Sequence, residues 1–361
     1  MKKKIFKLVS IVLLLVLALS ACGPAGLPED TEAVGDNTES IDDASEVVTS
    51  EEVIDTNSEE TTNMTTPNKK EIKNILMIGN SFCYYFTQEL YNIALADGYE
   101  LNVANLYKSG CSVQEHWTWL NNNSSSYTFH MVNKKYKGNF KQLKETTIQG
   151  ALDYAKKELG GDWDVITLQQ HFGPNRATDY TFGYNETFSY AKKLFDRISE
   201  EHPDSLMLWH QTWAYEVGYA VAEKYVDPSK TPGGIAIDSV EVQTLSYENI
   251  KKVSQEVAKE NGVNIIPSGD AWQLARADAR VGDTMCKRLG TNGDLGDYYH
   301  DGDVGGGQYL NACVWYEVLM GKSCIGNTWR PDYDLSEEKI VALQEAAHAA
   351  VAAVYGEDYA K

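Results

Sequence analysis

The 361-residue chain is poor in basic residues and has no closely paired cysteines. Its 32 Lys and Arg stand against 52 Asp and Glu, and the resulting net charge of −20 disfavours nucleic acid and anionic substrates, because both require basic surfaces. The six cysteines include no CxxC pair, which argues against a disulfide scaffold or a zinc site. We therefore expect no nucleic-acid partner, no metal ion and no organic cofactor, and we expect most cysteines to be small buried residues.

A long apolar run is also missing at the N-terminus. The run Ile11–Leu19 is too short for a comfortable membrane span, and it follows four lysines and ends at Ser20-Ala21-Cys22. This order resembles the bacterial lipoprotein signal, in which cleavage precedes a cysteine that carries the lipid. The resemblance implies a lipidated Cys22 on the extracytoplasmic face of a bacterial cell membrane. The alternative is an ordinary secretory signal.

Residues 23–68 contain no Lys, Arg or aromatic residue but thirteen Asp and Glu. Such a segment buries too little apolar area to offset its chain entropy, so we predict disorder. The chain then divides into a signal peptide at 1–21, an acidic Ser/Thr-rich tether at 22–68 and one domain at 69–361. That domain keeps a net charge of −11, which is compatible with a neutral substrate such as a glycan or its ester.

Short apolar runs alternate with helix-length segments in this domain. Strands are predicted at 75–78, 101–107, 164–168, 206–209 and 263–267, and helices at 87–96, 148–159, 187–200 and 240–261, with a last helix capped by Ser336. This alternation predicts an α/β domain with a parallel sheet and helices on both faces.

Ser81 is the candidate nucleophile. The run Ile75–Ile78 leads directly into Gly79 and Asn80, so Ser81 should lie just past the carboxyl end of a buried strand, where ligands bind in open α/β sheets. We expect Gly79 to form a sharp turn through a positive φ. A serine needs a base to act as a nucleophile, and without one it is more simply a turn or helix-cap residue.

A base and its orienting acid are offered by Asp297 and His300, three residues apart in a glycine-rich stretch. Asp294, Asp301 and Asp303 share the stretch, which leaves the choice of carboxylate open, although their spacing does not follow the EF-hand order of a calcium loop. Oxyanion donors are offered by the N–H of Gly110 and by a side-chain amide at Gln169-Gln170.

Together these pieces resemble the SGNH (GDSL-type) serine hydrolase superfamily. The resemblance implies a three-layer α/β/α domain with a flavodoxin-like sheet, with Ser81 as nucleophile, His300 as base, Asp297 as orienting acid and Gly110 in the oxyanion hole. Within the superfamily the chain is most similar to a group of bacterial lipoproteins, DUF4886-like, through motifs spread over residues 72–322. These motifs are Ile78–Phe82, Leu168–Gln170, Thr212–Tyr215, Tyr309-Leu310 and Val314–Glu317.

Two departures from the superfamily pattern concern the oxyanion hole. Asn80 stands where the first block has Asp, and the usual Gly-x-Asn-Asp block is replaced by Gln169-Gln170. A glutamine must therefore supply the missing amide, Gln169 being the better match and Asn175 a fallback.

Aromatic residues provide candidates for a substrate rim. Trp117, Trp119 and Tyr127 lie in an Asn/Ser-rich region after Gly110, which we interpret as a loop, and sugar rings stack on exposed aromatic faces. His171 ends a predicted strand near the site and is a further rim candidate. The other histidines between Ser81 and His300 are interpreted as structural: His116, His130, His202 and His210. Of these, His210 also ends a predicted strand near the site.

The sequence thus predicts a membrane-anchored extracellular serine esterase that removes small, acetyl-type acyl groups from carbohydrate, with membrane contact only through its lipid anchor. Two alternatives remain open. One is a lipase or acyltransferase with the same triad, and the other is a non-catalytic glycan-binding surface lipoprotein.

Overall fold

The strands of the computed structural model form one mostly parallel sheet. The structure describes residues 71–217, 237–281, 306–332 and 334–361. The strands are β1 Asn74–Gly79, β2 Asn102–Tyr107, β3 Thr128–Val132, β4 Lys141–Gln142, β5 Val165–Leu168, β6 Leu206–His210 and β7 Asn264–Ile266. Their order across the sheet is β4-β3-β2-β1-β5-β6-β7.

The parallel part of the sheet has a flavodoxin-like order. β1 pairs in parallel with both β2 and β5, and β6 and β7 continue from β5 in the same direction. Without β3 and β4, the order is 2-1-3-4-5, which is that of flavodoxin-like folds. The predicted fold class and all five predicted strands are confirmed. The antiparallel edge formed by β3 and β4 was not predicted.

The helices lie on both faces of the sheet. They are α1 Thr87–Ala96, α2 Val113–Asn121, α3 Ile148–Leu152, α4 Pro174–Thr178, α5 Tyr180–Glu201, α6 Val240–Asn261, α7 Ser268–Ala277, α8 Gly307–Met320 and α9 Glu337–Tyr355. The predicted bounds of α1 and α6 are confirmed, and Ser336 caps α9 by accepting from the Lys339 N–H at 3.2 Å. None of the described helices is both long and apolar enough to cross a membrane.

Two apolar cores sandwich the sheet. Ile75 and Met77 of β1 pack toward α1, α7, α8 and α9, whereas Leu76 and Ile78 pack toward α2, α3, α5 and α6. Because successive strand residues point to opposite faces, a strand covered on both sides must be apolar throughout, as β1 is. Trp209 and Trp315 are fully buried. The four described cysteines, which are free, are buried as predicted: Cys83, Cys111, Cys313 and Cys324.

The described residues belong to one compact unit that spans Thr61–Lys361. The signal peptide and the whole tether, including Cys22, lie outside the described residues. The boundaries of the three predicted segments therefore stay predictions.

Candidate active site

Ser81 lies just past the carboxyl end of β1, as predicted. Gly79 ends the strand, and Ser81 opens a short 3₁₀ turn, Ser81–Cys83, in which the Tyr84 N–H donates to the Ser81 carbonyl at 3.3 Å. The residue is only 4% exposed. Within the described residues nothing hydrogen-bonds its hydroxyl, so the described part of the site leaves the Ser81 Oγ open to a base.

Asn80 ties the serine turn to the loop after β2. Its Oδ1 accepts from the Phe82 N–H at 3.0 Å, and its Nδ2 donates to the Cys111 carbonyl at 2.9 Å. The Lys108 N–H also donates to the Gly79 carbonyl at 3.1 Å. Asn80, which departs from the superfamily's Asp, therefore joins the two loops that carry Ser81 and Gly110.

The two glycines of the site serve different purposes. Gly110 has a φ of +62°, and its N–H donates to no acceptor in the described part of the chain. Gly79, in contrast, is not in the positive-φ region, so the reason predicted for it is wrong. A Cβ at Gly79 would lie 2.8 Å from the Cys83 Sγ and 2.8 Å from the Gln169 Cγ. Gly79 is required because these side chains approach the backbone closely.

Gln169 points from the end of β5 toward the serine turn. Its Nε2 donates to the Asn80 Oδ1 at 2.6 Å, and its Oε1 lies 3.0 Å from the His210 Nδ1. The residue is 1% exposed. A primary amide has two N–H groups, and the described contacts use only one, so Gln169 keeps a second donor next to Asn80, the residue before Ser81.

Gln170 points to the opposite face and has no donor left. Its Nε2 donates to the Glu186 carbonyl at 3.2 Å and to the Thr187 Oγ1 at 3.0 Å, both on α5. Its Oε1 accepts from the N–H groups of Val113 at 3.2 Å and His171 at 2.9 Å. The prediction that Gln170 contributes to the oxyanion hole is therefore wrong. Its side chain instead binds α2 and α5 to the end of the strand.

The histidines predicted to be structural are buried in the described structure. Burial lowers the pKa of His116 and of His210 to about 3 and that of His130 to about 4, so all three are neutral at pH 7. His202 is 2% exposed and contacts Asp162 at 2.7 Å. His171 is half-buried, and its ring lies 6.1 Å from that of Phe82, the residue that follows Ser81.

The predicted aromatic rim needs correction at Tyr127, whereas a rim role for Trp117 and Trp119 stays a prediction. Tyr127 is fully buried and hydrogen-bonds the His116 Nδ1 at 2.7 Å, because it precedes a strand rather than lying in an exposed loop. Trp117 and Trp119 lie on helix α2, where the Lys108 ammonium sits 4.8 Å from the Trp119 ring.

A different aromatic group borders the serine turn. Tyr84 contacts Tyr85 and Tyr107, each at 4.7 Å between ring centroids, and all three rings are half-buried. Their positions in the sequence could have indicated a place near the site, because Tyr84 and Tyr85 follow Ser81 closely and Tyr107 ends β2. These tyrosines are candidates for substrate contact.

Ser268 was also missed. It lies two residues past the end of β7, at the carboxyl edge of the sheet, and its Oγ lies 3.0 Å from the His210 Nε2. The rule that pointed to Ser81 would have pointed to Ser268 as well.

The predicted base and acid belong to a stretch outside the described residues. His300, Asp297 and the neighbouring Asp294, Asp301 and Asp303 lie outside the described residues, as does Cys286, and the side chain of Asn175 is not described either. Within the described part of the chain, no group of three His, Cys, Asp or Glu side chains could hold a metal ion. The triad therefore stays a prediction.

The comparisons with known proteins identify a family. Two of the solved structures that align with the chain have TM-scores below 0.5. One is a proposed GDSL-like lipase from Parabacteroides merdae, with 14% identity, coverage of 70% of this chain and 97% of that chain, and a TM-score of 0.38. The other is phospholipase A1 from Streptomyces albidoflavus, with 10% identity, coverage of 69% of this chain and 98% of that chain, and a TM-score of 0.34. At these scores the likeness does not define an activity. No curated protein matches the chain.

A third solved structure is more similar. It is a DUF4886 family protein from Bacteroides uniformis, with 27% identity, a TM-score of 0.61 and coverage of 79% of this chain and 96% of that chain. The profile of the same family, a domain of unknown function, matches residues 74–350. The chain belongs to the DUF4886 family.

Proposed function

We propose that the chain is a serine hydrolase of the SGNH type that cleaves carboxylic ester bonds. The observation that supports this most is the arrangement at the carboxyl edge of the sheet. Ser81 lies past β1, the unused N–H of Gly110 follows β2, and the spare amide N–H of Gln169 follows β5. A nucleophile with N–H donors on neighbouring strand ends is the arrangement that acyl transfer requires.

In the proposed mechanism, the Ser81 Oγ attacks the ester carbonyl while His300 accepts its proton. Asp297 orients His300 and stabilises its charge. The N–H groups of Ser81 and Gly110, with the second amide N–H of Gln169, bind the oxyanion. His300 returns the proton to the leaving alcohol, and water then hydrolyses the acyl-enzyme. The roles of His300 and Asp297 rest on the superfamily resemblance.

The proposed substrate is a small, acetyl-type acyl ester on a carbohydrate. An acidic domain suits a neutral substrate. The half-buried rings of Tyr84, Tyr85 and Tyr107 border the serine turn and suit stacking against a sugar ring. We also propose that lipidated Cys22 holds the protein on the extracytoplasmic face of the membrane, without further membrane contact.

Hydrolysis of p-nitrophenyl acetate and of long-chain p-nitrophenyl esters, by the full chain and by Ser81→Ala, tests the proposal. We expect acetate to be cleaved and Ser81→Ala to lose the activity. The control is Ser254→Ala, which changes a buried serine of α6 whose hydroxyl has no hydrogen-bond partner among the described residues. Turnover that persists in Ser81→Ala would refute the mechanism.

Other outcomes select the alternatives. Cleavage of long-chain esters alone would indicate a lipase, and acyl transfer to an added alcohol in preference to water would indicate an acyltransferase. Glycan binding that is equal in the wild type and in Ser81→Ala, with no turnover in either, would indicate a non-catalytic binding protein.

A further inference from the structure

A buried chain of hydrogen bonds runs along the carboxyl edge of the sheet. Asn80, Gln169, His210 and Ser268, which we call the edge network, follow or end β1, β5, β6 and β7 respectively. Successive donor–acceptor distances are 2.6, 3.0 and 3.0 Å. Each of the four residues is at most 1% exposed, so water does not compete for these bonds.

The chemistry of the partners fixes every donor in this network. Asn80 contacts a backbone N–H and a backbone carbonyl, which determines which end of its amide is the oxygen. Gln169 must then donate to the Asn80 Oδ1 and present its own oxygen to His210. Because that oxygen only accepts, His210 donates from Nδ1 and accepts at Nε2, so the Ser268 hydroxyl donates to it.

His210 is held in one orientation. Its ring lies 5.1 Å from that of Trp315 and 6.1 Å from that of Phe86, both at steep angles. Burial lowers its pKa to about 3, which keeps the ring neutral and preserves the acceptor at Nε2. The imidazole is therefore a rigid support with one donor directed at Gln169.

We propose that His210, held by Ser268, is a positioning residue that fixes the carboxamide of Gln169 in the oxyanion hole. Asn80 binds one end of this carboxamide and His210 binds the other, so the plane of the amide and the direction of its spare N–H are both determined. If the bond to His210 is lost, the amide can turn about its remaining contact. This inference rests on the proposed function, because it concerns the same oxyanion.

Two substitutions separate this role from a purely structural one. In His210→Asn the amide nitrogen occupies the place of Nδ1 and can still donate to Gln169. In His210→Gln the amide reaches the place of Nε2 and meets Ser268, which leaves the Gln169 oxygen without its donor. We expect His210→Gln to lower kcat about tenfold to a hundredfold, as misplacement of a catalytic group does, with KM nearly unchanged. His210→Asn should restore most of kcat.

The assay is hydrolysis of p-nitrophenyl acetate by the full chain, with urea unfolding of each variant and labelling of Ser81 by a fluorophosphonate. Equal losses of kcat in the two variants, with wild-type labelling intact, would overturn the positioning role and leave the proposed function standing. A wild type without turnover or labelling would instead refute the proposed function.

A second pair of variants keeps the inference testable if the His210 variants do not fold. Ser268→Ala removes the support of the imidazole and should lower kcat with KM nearly unchanged. Ser254→Ala removes a buried hydroxyl in α6 that has no partner in the described part of the chain, and it should leave kcat unchanged. A kcat of Ser268→Ala equal to that of Ser254→Ala would contradict the positioning role.

Discussion

Replacing Gln169 with methionine tests the oxyanion hole without opening a cavity, because methionine has a similar length and shape. The change removes the donor to Asn80 at 2.6 Å and the acceptor for His210 at 3.0 Å. Asn80 keeps its bond from the Phe82 N–H, but the buried Nδ1–H of His210 loses its acceptor. The free energy of unfolding should therefore fall by about 1–3 kcal/mol.

The same substitution should act more strongly on catalysis. Loss of one oxyanion donor typically lowers kcat by about 10²–10³, and KM should change little because the donor acts mainly in the transition state. The assays are urea unfolding and p-nitrophenyl acetate hydrolysis.

A matched control for Gln169→Met is Gln243→Met. Gln243 is a buried glutamine of α6 whose amide pairs with Gln273 of α7 at 3.1 and 3.0 Å, outside the edge network. It should lose stability and keep its kcat. A kcat of Gln169→Met within about twofold of the wild type would refute the assignment of this donor.

Two other predictions follow from burial around the site. Gly79→Ala places a Cβ 2.8 Å from the Gln169 Cγ, so it should lower both kcat and the free energy of unfolding, the latter by about 1–3 kcal/mol. Gly161→Ala, whose Cβ would lie 3.7 Å from its nearest atom, should change neither. Equal midpoints of urea unfolding for the two variants would contradict this prediction. His116, His130 and His210 stay neutral in the fold but charge in the unfolded chain below pH 6.5, so the free energy of unfolding should fall by about 1.4 kcal/mol per pH unit for each of them as the pH drops from 6.5 toward 4. His116→Gln should remove the contribution of one histidine, about 1.4 kcal/mol per pH unit, from this pH dependence. If urea unfolding between pH 7 and 5 showed the same pH dependence in His116→Gln as in the wild type, His116 would not be neutral in the fold.

The parallel strands and several helices were predictable because their signals are local. Short apolar runs marked the strands that are buried on both faces, and capping residues marked helix ends such as Ser336. Helix α2 was missed although Ser112 and Glu115 form a capping box, a signal the sequence contains. Strand β3 was not distinguished from a loop, because five residues in an Asn/Ser-rich region show no clear alternation.

The site was predictable in its parts but not in its connections. Ser81, Gly110 and the Gln169-Gln170 pair followed from strand ends, yet the choice between the two glutamines did not. Strand β5 is buried on both faces, so its pattern does not reveal which face each glutamine meets. The bonds from Gln169 to His210 and from His210 to Ser268 join residues 41 and 58 positions apart, and no local pattern predicts such pairs.

Labelling of the wild-type chain with a fluorophosphonate, followed by peptide mapping, tests the central claim most directly. The proposed mechanism predicts a covalent adduct on the Ser81 Oγ that forms in step with the loss of esterase activity. An active protein that stays unlabelled, or that carries the adduct on another residue, would contradict it.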